Sequence, residues 1–311
     1  MIYKISAEEN GKTVKEILRY GVGLSLAFTK QLKFLDNGIM LNGERVTVRK
    51  TVATGDILFL ATEDVQREGV LTPTPLPLDI AYEDEYIVMP NKSADMPTHP
   101  SHNHRGDTLA DALAYKYQEE GLPFVFRAIS RLDRNTSGIL LIAKDRISAS
   151  RLSASMKSGD INKKYIAILD GELNADEGTI DTYIKREAES IIFRKVCNEG
   201  EGGDRAITKY KVLSRKNGYT LVLASPITGR THQLRVHFSH IGAAILGDDM
   251  YGTTSPIISR HALHALSLEF IHPRTNEPLV VSAPPSEDMS RAITEIFGES
   301  ILLDIINQCK K

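Results

Sequence analysis

Asp133 stands in the run Arg131-Leu132-Asp133-Arg134-Asn135-Thr136-Ser137-Gly138, a polar loop that leads into the apolar run 139–143. A loop feeding a buried strand sets its side chains at the end of a sheet, a common place for a functional site. A carboxylate there can act as a nucleophile or a base, provided a nearby cation keeps it ionised. On the residues alone the alternative stays open: Asp133 only pairs with Arg131 or Arg134, and Gly138 makes a turn.

Three other segments hold residue types that do chemistry. In 228–237, Arg230 precedes a helical pattern in which Thr231 can cap and Leu234, Phe238 and Ile241 share a buried face. His232 and His237 in that stretch, and His240 just beyond it, read as hydrogen-bonded or solvent-facing rather than as metal ligands. Lys163-Lys164-Tyr165 opens a strand, and alternation puts Lys163 and Tyr165 on one face, where a tyrosine is as readily core as site. The loop 98–107 carries His99, His102 and His104 ahead of Asp107. One short loop without cysteine or a spaced carboxylate does not close a tetrahedral metal site, so a polar loop over the site or against a polyanion is the expectation, with no metal.

The elements that must position these residues fall into two units. Residues 1–61 read as a compact α+β unit: Val14, Ile17 and Leu18 at helical spacing, a second helix over 27–35 carrying Lys30 and Lys33, then strands over 39–41, 45–48 and 57–60 with Asn42-Gly43 as a hairpin turn. Residues 62–77, with Pro73, Pro75 and Pro77, read as a linker. From 78 to 311 the pattern is strand-rich, at 80–82, 86–89, 139–143, 165–169, 191–196, 208–213, 219–224, 262–270 and 279–282. Helices are expected after Asp107 (Leu109, Leu113, Tyr117) and after Asp145 (Leu152, Met156). Many strands with few helices predict an α+β fold with a mixed, mostly antiparallel sheet.

The chain has 311 residues and a net charge of −2, so bulk basicity is no argument for a nucleic-acid partner. Its distribution is more telling: residues 205–247 hold seven Lys/Arg and no acid, whereas 170–204 hold ten acids against four Lys/Arg. Such positive segments can face phosphates on a neutral protein, or be solvated surface. Cys197 and Cys309 are far apart and suit a reducing compartment. No eighteen-residue apolar run and no signal-type N-terminus occur, so a cytoplasmic protein without a membrane span is expected, with monomer as the default.

Taken in order, these segments resemble the RluA family of RNA pseudouridine synthases. Arg131–Gly138 matches an R-L-D-x-x-T-S-G loop, Lys163 and Tyr165 a K-x-Y motif, and residues 229–237 the motif G-R-x-H-Q-L-R-x-H. G-D-x-x-Y-G follows at 247–252 and L-H-A at 263–265, and His99, His104 and Gly106 resemble the family's histidine-bearing loop. The likeness spans about residues 78–295. Ser130 stands where several members carry histidine, and Asn91-Lys92-Ser93-Ala94-Asp95 lacks the proline and glycine of N-K-P-x-G. The N-terminal unit is similar to an S4 RNA-binding domain, although its second helix opens Ser25-Leu26-Ala27 rather than with arginines.

The resemblance implies isomerisation of uridine in structured RNA, ribosomal RNA of the large subunit or tRNA. That reaction breaks N1–C1′ and joins C5 to C1′ with no net oxidation, so no cofactor is expected. It implies Asp133, Tyr165 and Arg230 as the catalytic set, with Arg230 holding Asp133 ionised in a dry pocket and Tyr165 stacking on the uracil. Arg131, Lys163, Leu234, His99, His104, Lys30 and Lys33 are the expected substrate or RNA contacts. Two other readings stay open: a non-catalytic RNA-binding or ribosome-assembly protein, and a metal-dependent hydrolase built on the histidine loop.

Overall fold

The computed structural model describes residues 1–62, 71–101, 103–190 and 192–309. A small antiparallel sheet near the N-terminus has the order β1 (Ile2–Lys4), β4 (Ile57–Leu60), β2 (Ile39–Leu41), β3 (Glu44–Arg45). Asn42 and Gly43, both at positive φ (51° and 87°), turn β2 into β3. Against this sheet pack α1 (Val14–Glu16), which runs on into a π turn (Ile17–Gly21), and α2 (Leu26–Phe34). Thr13 and Glu16 form a capping box that starts α1. The strand expected over 45–48 is shorter, pairing only to Arg45.

The large sheet has the order β11 (Arg194–Cys197), β10 (Glu177–Arg186), β12 (Asp204–Lys216), β13 (Tyr219–Pro226), β9 (Asn162–Asp170), β14 (Leu263–Ile271), β7 (Ser137–Ile139), β6 (Ile87–Lys92), β5 (Ile80–Glu83). To it are added β15 (Pro278–Ser282), on β14, and β8 (Ile142–Ala143), on β6. Among these strands only β14 and β7 pair in parallel, which is the mixed, mostly antiparallel sheet the sequence predicts. The helices are α3 (Leu109–Glu119), α4 (Arg146–Ser158), α5 (Gln233–His240), α6 (Glu287–Phe297) and α7 (Glu299–Cys309).

Several expected boundaries move for identifiable reasons. The 139–143 run is two strands, because the chain leaves β7 after Ile139 and pairs again with β6 only at Ile142. α3 is capped by Thr108 with Asp111, while Asp107 turns to His104 at 2.6 Å. Asp145 caps α4 as expected, accepting from the Ile147 and Ser148 amides. β10 escapes a sequence reading because only Ile180 and Ile184 in it are buried, among charged and polar residues. The strand expected from 191 begins at Arg194, and Ile191 lies outside the described residues.

Two large hydrophobic cores fill the large unit, one under β9, β13, α5 and α6, the other under β6, β7, α3 and α4, with a small third cluster of Ile184, Ala206 and Val236. Tyr165 packs against both, so β9 delivers it to the seam between them.

The N-terminal unit is seated on α4. Ile147 of α4 is buried in the N-terminal core, a burial worth about 1.5–3 kcal/mol. Arg151 donates to the Val22 carbonyl at 2.9 Å and to the Pro273 carbonyl at 2.6 Å. The Arg146 guanidinium lies 4.5 Å from the centre of the Phe28 ring. Of the expected linker, residues 63–70 lie outside the described residues, and the Thr72 amide is tied to the Asp111 carboxylate at 2.8 Å.

Candidate active site

The loop that carries Asp133 is held by its carbonyls. The Thr98 hydroxyl donates to the Leu132 carbonyl at 2.9 Å. Lys92, 1% exposed, donates to the Arg134 carbonyl at 2.9 Å and to those of Ser93 and Met96. Burial lowers the Lys92 pKa to about 7. The Asn135 carbonyl accepts from Arg260, whose guanidinium is also bonded to Asp288. The Asp133 carbonyl closes a turn by accepting from the Thr136 amide at 3.0 Å. Gly138 then enters β7 at φ 112°, where a Cβ would meet the Ala265 carbonyl oxygen at 2.3 Å, so only glycine fits this crossing against β14.

The Asp133 side chain faces a cavity of about 880 Å³, a volume typical of a small-molecule site. Tyr165 and Leu234 line it, as do Lys163, Arg131 and His99. Burial and Asp133 raise the Tyr165 hydroxyl well above its ordinary range, so it stays protonated at neutral pH. Burial lowers the pKa of the Lys163 ammonium, which donates to the Thr228 carbonyl at 3.4 Å. His99 packs edge-on against Phe126 at 5.0 Å.

The guanidinium beside Asp133 is that of Arg235, not of Arg230. Arg235 Nη1 lies 3.5 Å from Asp133 Oδ2. Its Nε and Nη2 grip Asp248 in two 2.7 Å bonds, and both residues are buried. Burial works to raise the Asp248 carboxyl, and Arg235 more than offsets it, holding Asp248 below the ordinary carboxylate range. Arg230 sits on the cavity wall with its guanidinium turned outward, to the Arg205 carbonyl at 3.1 Å and Asp204 at 3.8 Å. The reason is the helix entrance. α5 is capped not by Thr231 but by His232 in the left-handed conformation (φ 57°), and that turn directs Arg230 away and the first-turn Arg235 inward. Ile241, expected on the buried face, is 37% exposed. An arginine between Leu234 and Val236 in a helix with a buried face needs a carboxylate partner, and that was the signal for Arg235.

His232 also reaches this cluster. Its Nε2 lies 3.9 Å from Asp133 Oδ2, and its Nδ1 is bonded to the Tyr251 hydroxyl at 2.8 Å. His237 is bonded to Thr208 and Thr182, and His261 to Thr136. Burial, with Arg235 adding to it, pushes His261 down to about 3, so it is neutral.

Other expected contacts lie elsewhere. His104 is paired with Asp107 and is absent from the cavity wall; His102 lies outside the described residues. Lys30 and Lys33 line a separate groove in the N-terminal unit, with Lys15, Arg19 and Phe34. Among the described residues no group of three or more His, Cys, Asp or Glu is arranged to hold a metal ion, and no helix is long and apolar enough to cross a membrane.

Residues 85–240 match the family model described as RNA pseudouridylate synthase. The RNA pseudouridine synthase YjbO of Bacillus subtilis (strain 168) is 38% identical over 281 residues, 90% of this chain and 98% of that protein. A ribosomal large subunit pseudouridine synthase D of Xanthomonas campestris pv. campestris is 30% identical, over 84% of this chain and 82% of that one. Among solved structures, human RNA pseudouridylate synthase domain containing 1 superposes with a TM-score of 0.55 at 31% identity, covering 67% of this chain and 84% of that chain.

Proposed function

The chain belongs to the RNA pseudouridylate synthase family, an isomerase family, and from that premise we propose that Asp133 is its catalytic carboxylate and that large-subunit ribosomal RNA is its substrate. The observation that carries the reading is one cavity that brings Asp133, Tyr165 and the buried Arg235 together.

In this reading a uridine is extruded from the folded RNA, at a cost of about a few kcal/mol, and enters the cavity. Asp133 acts at the sugar, attacking C1′ or taking the C2′ proton, while N1–C1′ breaks. Arg235, always charged and anchored by Asp248, stands 3.5 Å from Asp133 and sets a fixed positive charge against its carboxylate. Tyr165 stacks on the freed uracil as it turns to present C5; C5 joins C1′ and Asp133 is released as it began, and the protonated Tyr165 hydroxyl relays the C5 proton to solvent, giving up its own proton as it accepts that one. Leu234 gives the base an apolar wall. Arg230, Arg131 and Lys163 contact RNA phosphates around the rim, offsetting the extrusion cost. The reading also takes residues 1–61 as an S4-like RNA-binding domain, using Lys30 and Lys33, in a cytoplasmic monomer. Support for the substrate class is the Xanthomonas relative named for the large ribosomal subunit.

The test is to incubate the protein with unmodified large-subunit ribosomal RNA and, separately, with tRNA transcripts, and map new pseudouridines. Pseudouridine in the ribosomal RNA, absent with Asp133→Asn, is expected. Modification of tRNA alone would overturn the substrate, and a fully active Asp133→Asn would overturn the mechanism.

A further inference from the structure

His232 has a positive φ, uncommon for any residue but glycine, although histidine is among the side chains that take it more readily. It caps α5 at φ 57°, in the left-handed region that glycine and asparagine tolerate best. A bulky residue kept there points to a use for its side chain. The ring is nearly buried, 11% exposed, and lines the cavity.

The ring's two nitrogens are directed differently. Nδ1 meets the Tyr251 hydroxyl at 2.8 Å. The hydroxyl oxygen accepts from the Arg194 amide at 2.9 Å, and donating its own proton to Nδ1 satisfies both ends of the hydroxyl. The imidazole is neutral at pH 7, since burial moves it below its ordinary range. Its single proton therefore sits on Nε2, which faces Asp133 Oδ2 at 3.9 Å. That is just beyond hydrogen-bond reach, the looseness common in a site before substrate closes it. The charged groups around the ring are Asp133, Arg235, Arg194 and Asp248. Arg235 divides its charge between two carboxylates, Asp248 and Asp133, and leaves room for a second donor at Asp133.

We infer that His232 is a positioning residue for Asp133: Tyr251 holds its tautomer, and its Nε2–H donates to the carboxylate when RNA closes the site. The inference rests on the reading of Asp133 given above. Tyr251 acts one step further out, through the ring.

The test uses the full-length protein and unmodified large-subunit ribosomal RNA tritiated at uridine C5, following tritium release. Glutamine places an N–H near the position of Nε2, whereas asparagine places one nearer Nδ1. Asparagine also suits the left-handed backbone best, so its failure cannot be ascribed to strain. Relative to the parent, His232→Ala and His232→Asn should lower kcat at least 10-fold with KM for RNA unchanged. His232→Gln should recover to within about 3-fold of the parent. Tyr251→Phe should lower kcat in the parent but not in His232→Ala. A parental kcat for His232→Ala, a loss in KM alone, or equal losses in all three His232 variants would overturn the inference. A parent that releases no tritium from this RNA, and makes no pseudouridine in tRNA, would sink the underlying reading as well.

Discussion

Arg235 is shared between two carboxylates, gripping Asp248 with two bonds of 2.7 Å while its third nitrogen stands 3.5 Å from Asp133. The buried cation beside Asp133 is thus built into the fold, and in the proposed mechanism activity would depend on the same side chain as stability.

Arg235→Met leaves Asp248 buried without its partner, and should cost about 3–5 kcal/mol of stability. Arg235→Lys keeps the charge but loses the planar fork. It should stay folded while kcat for pseudouridine formation falls about 10²-fold. Thermal melting beside a tritium-release assay separates the two effects, and an active, unperturbed Arg235→Met would refute the assignment.

Arg230→Ala should behave otherwise. Its guanidinium is 40% exposed, so stability should change little. RNA binding should weaken, and the slope of log K against log salt should flatten by about one, with kcat retained. Filter binding across a salt series measures this, and a kcat loss equal to that of Arg235→Lys would return Arg230 to the catalytic set.

Tyr165→Phe keeps the ring between the two cores and removes only the hydroxyl. RNA affinity should be within about 3-fold of the parent, and single-turnover rates should fall about 10²–10⁴-fold if the hydroxyl moves a proton. Quench-flow with saturating enzyme gives the rate, and a parental rate would reduce Tyr165 to a stacking surface.

Burial lowers His264 and His237 to about 4 each, and both are fully buried. A folded pKa below the unfolded value near 6.5 means the unfolded chain binds the proton first as pH falls. The stability these residues contribute is therefore whole above pH 6.5 and is lost between about 6.5 and 4. The slope is at most about 1.4 kcal/mol per pH unit for each. Melting temperatures should drop across that window, and His264→Gln, less stable at pH 7, should show a shallower drop. An unchanged slope would contradict the assignment.

Ile147→Ala should destabilise the seat of the N-terminal unit by about 2–5 kcal/mol, through a cavity in a core made of both units. Hydrogen exchange should speed up in α2 and α4 together, and exchange confined to α4 would mean the two units are independent.

The residue types of the site could be read directly from the chain. Asp133, Tyr165, Lys163 and Leu234 were legible because each lies in a short motif whose spacing ties it to one loop, strand face or helix turn. Strand alternation put Lys163 and Tyr165 on one face, and both line the cavity. The mostly antiparallel sheet was legible for the same reason, since period-two patterning is local. β10 was not, because a strand with only two buried residues carries little hydrophobic signal.

What local pattern could not decide was which of two arginines five residues apart meets Asp133. That choice turns on one left-handed residue, His232, which rotates the entrance of α5, and on Asp248, thirteen residues beyond Arg235. Nor could it show Ile147 buried in a core otherwise made of residues 5–60. By itself, then, the sequence determined the motifs that hold Asp133, Lys163, Tyr165 and Leu234 and most of the strands and helices that carry them, because propensity and periodicity act over a few neighbours. Only the tertiary structure decided how charge is paired around Asp133, because a buried guanidinium must find its carboxylates in space, wherever along the chain they lie.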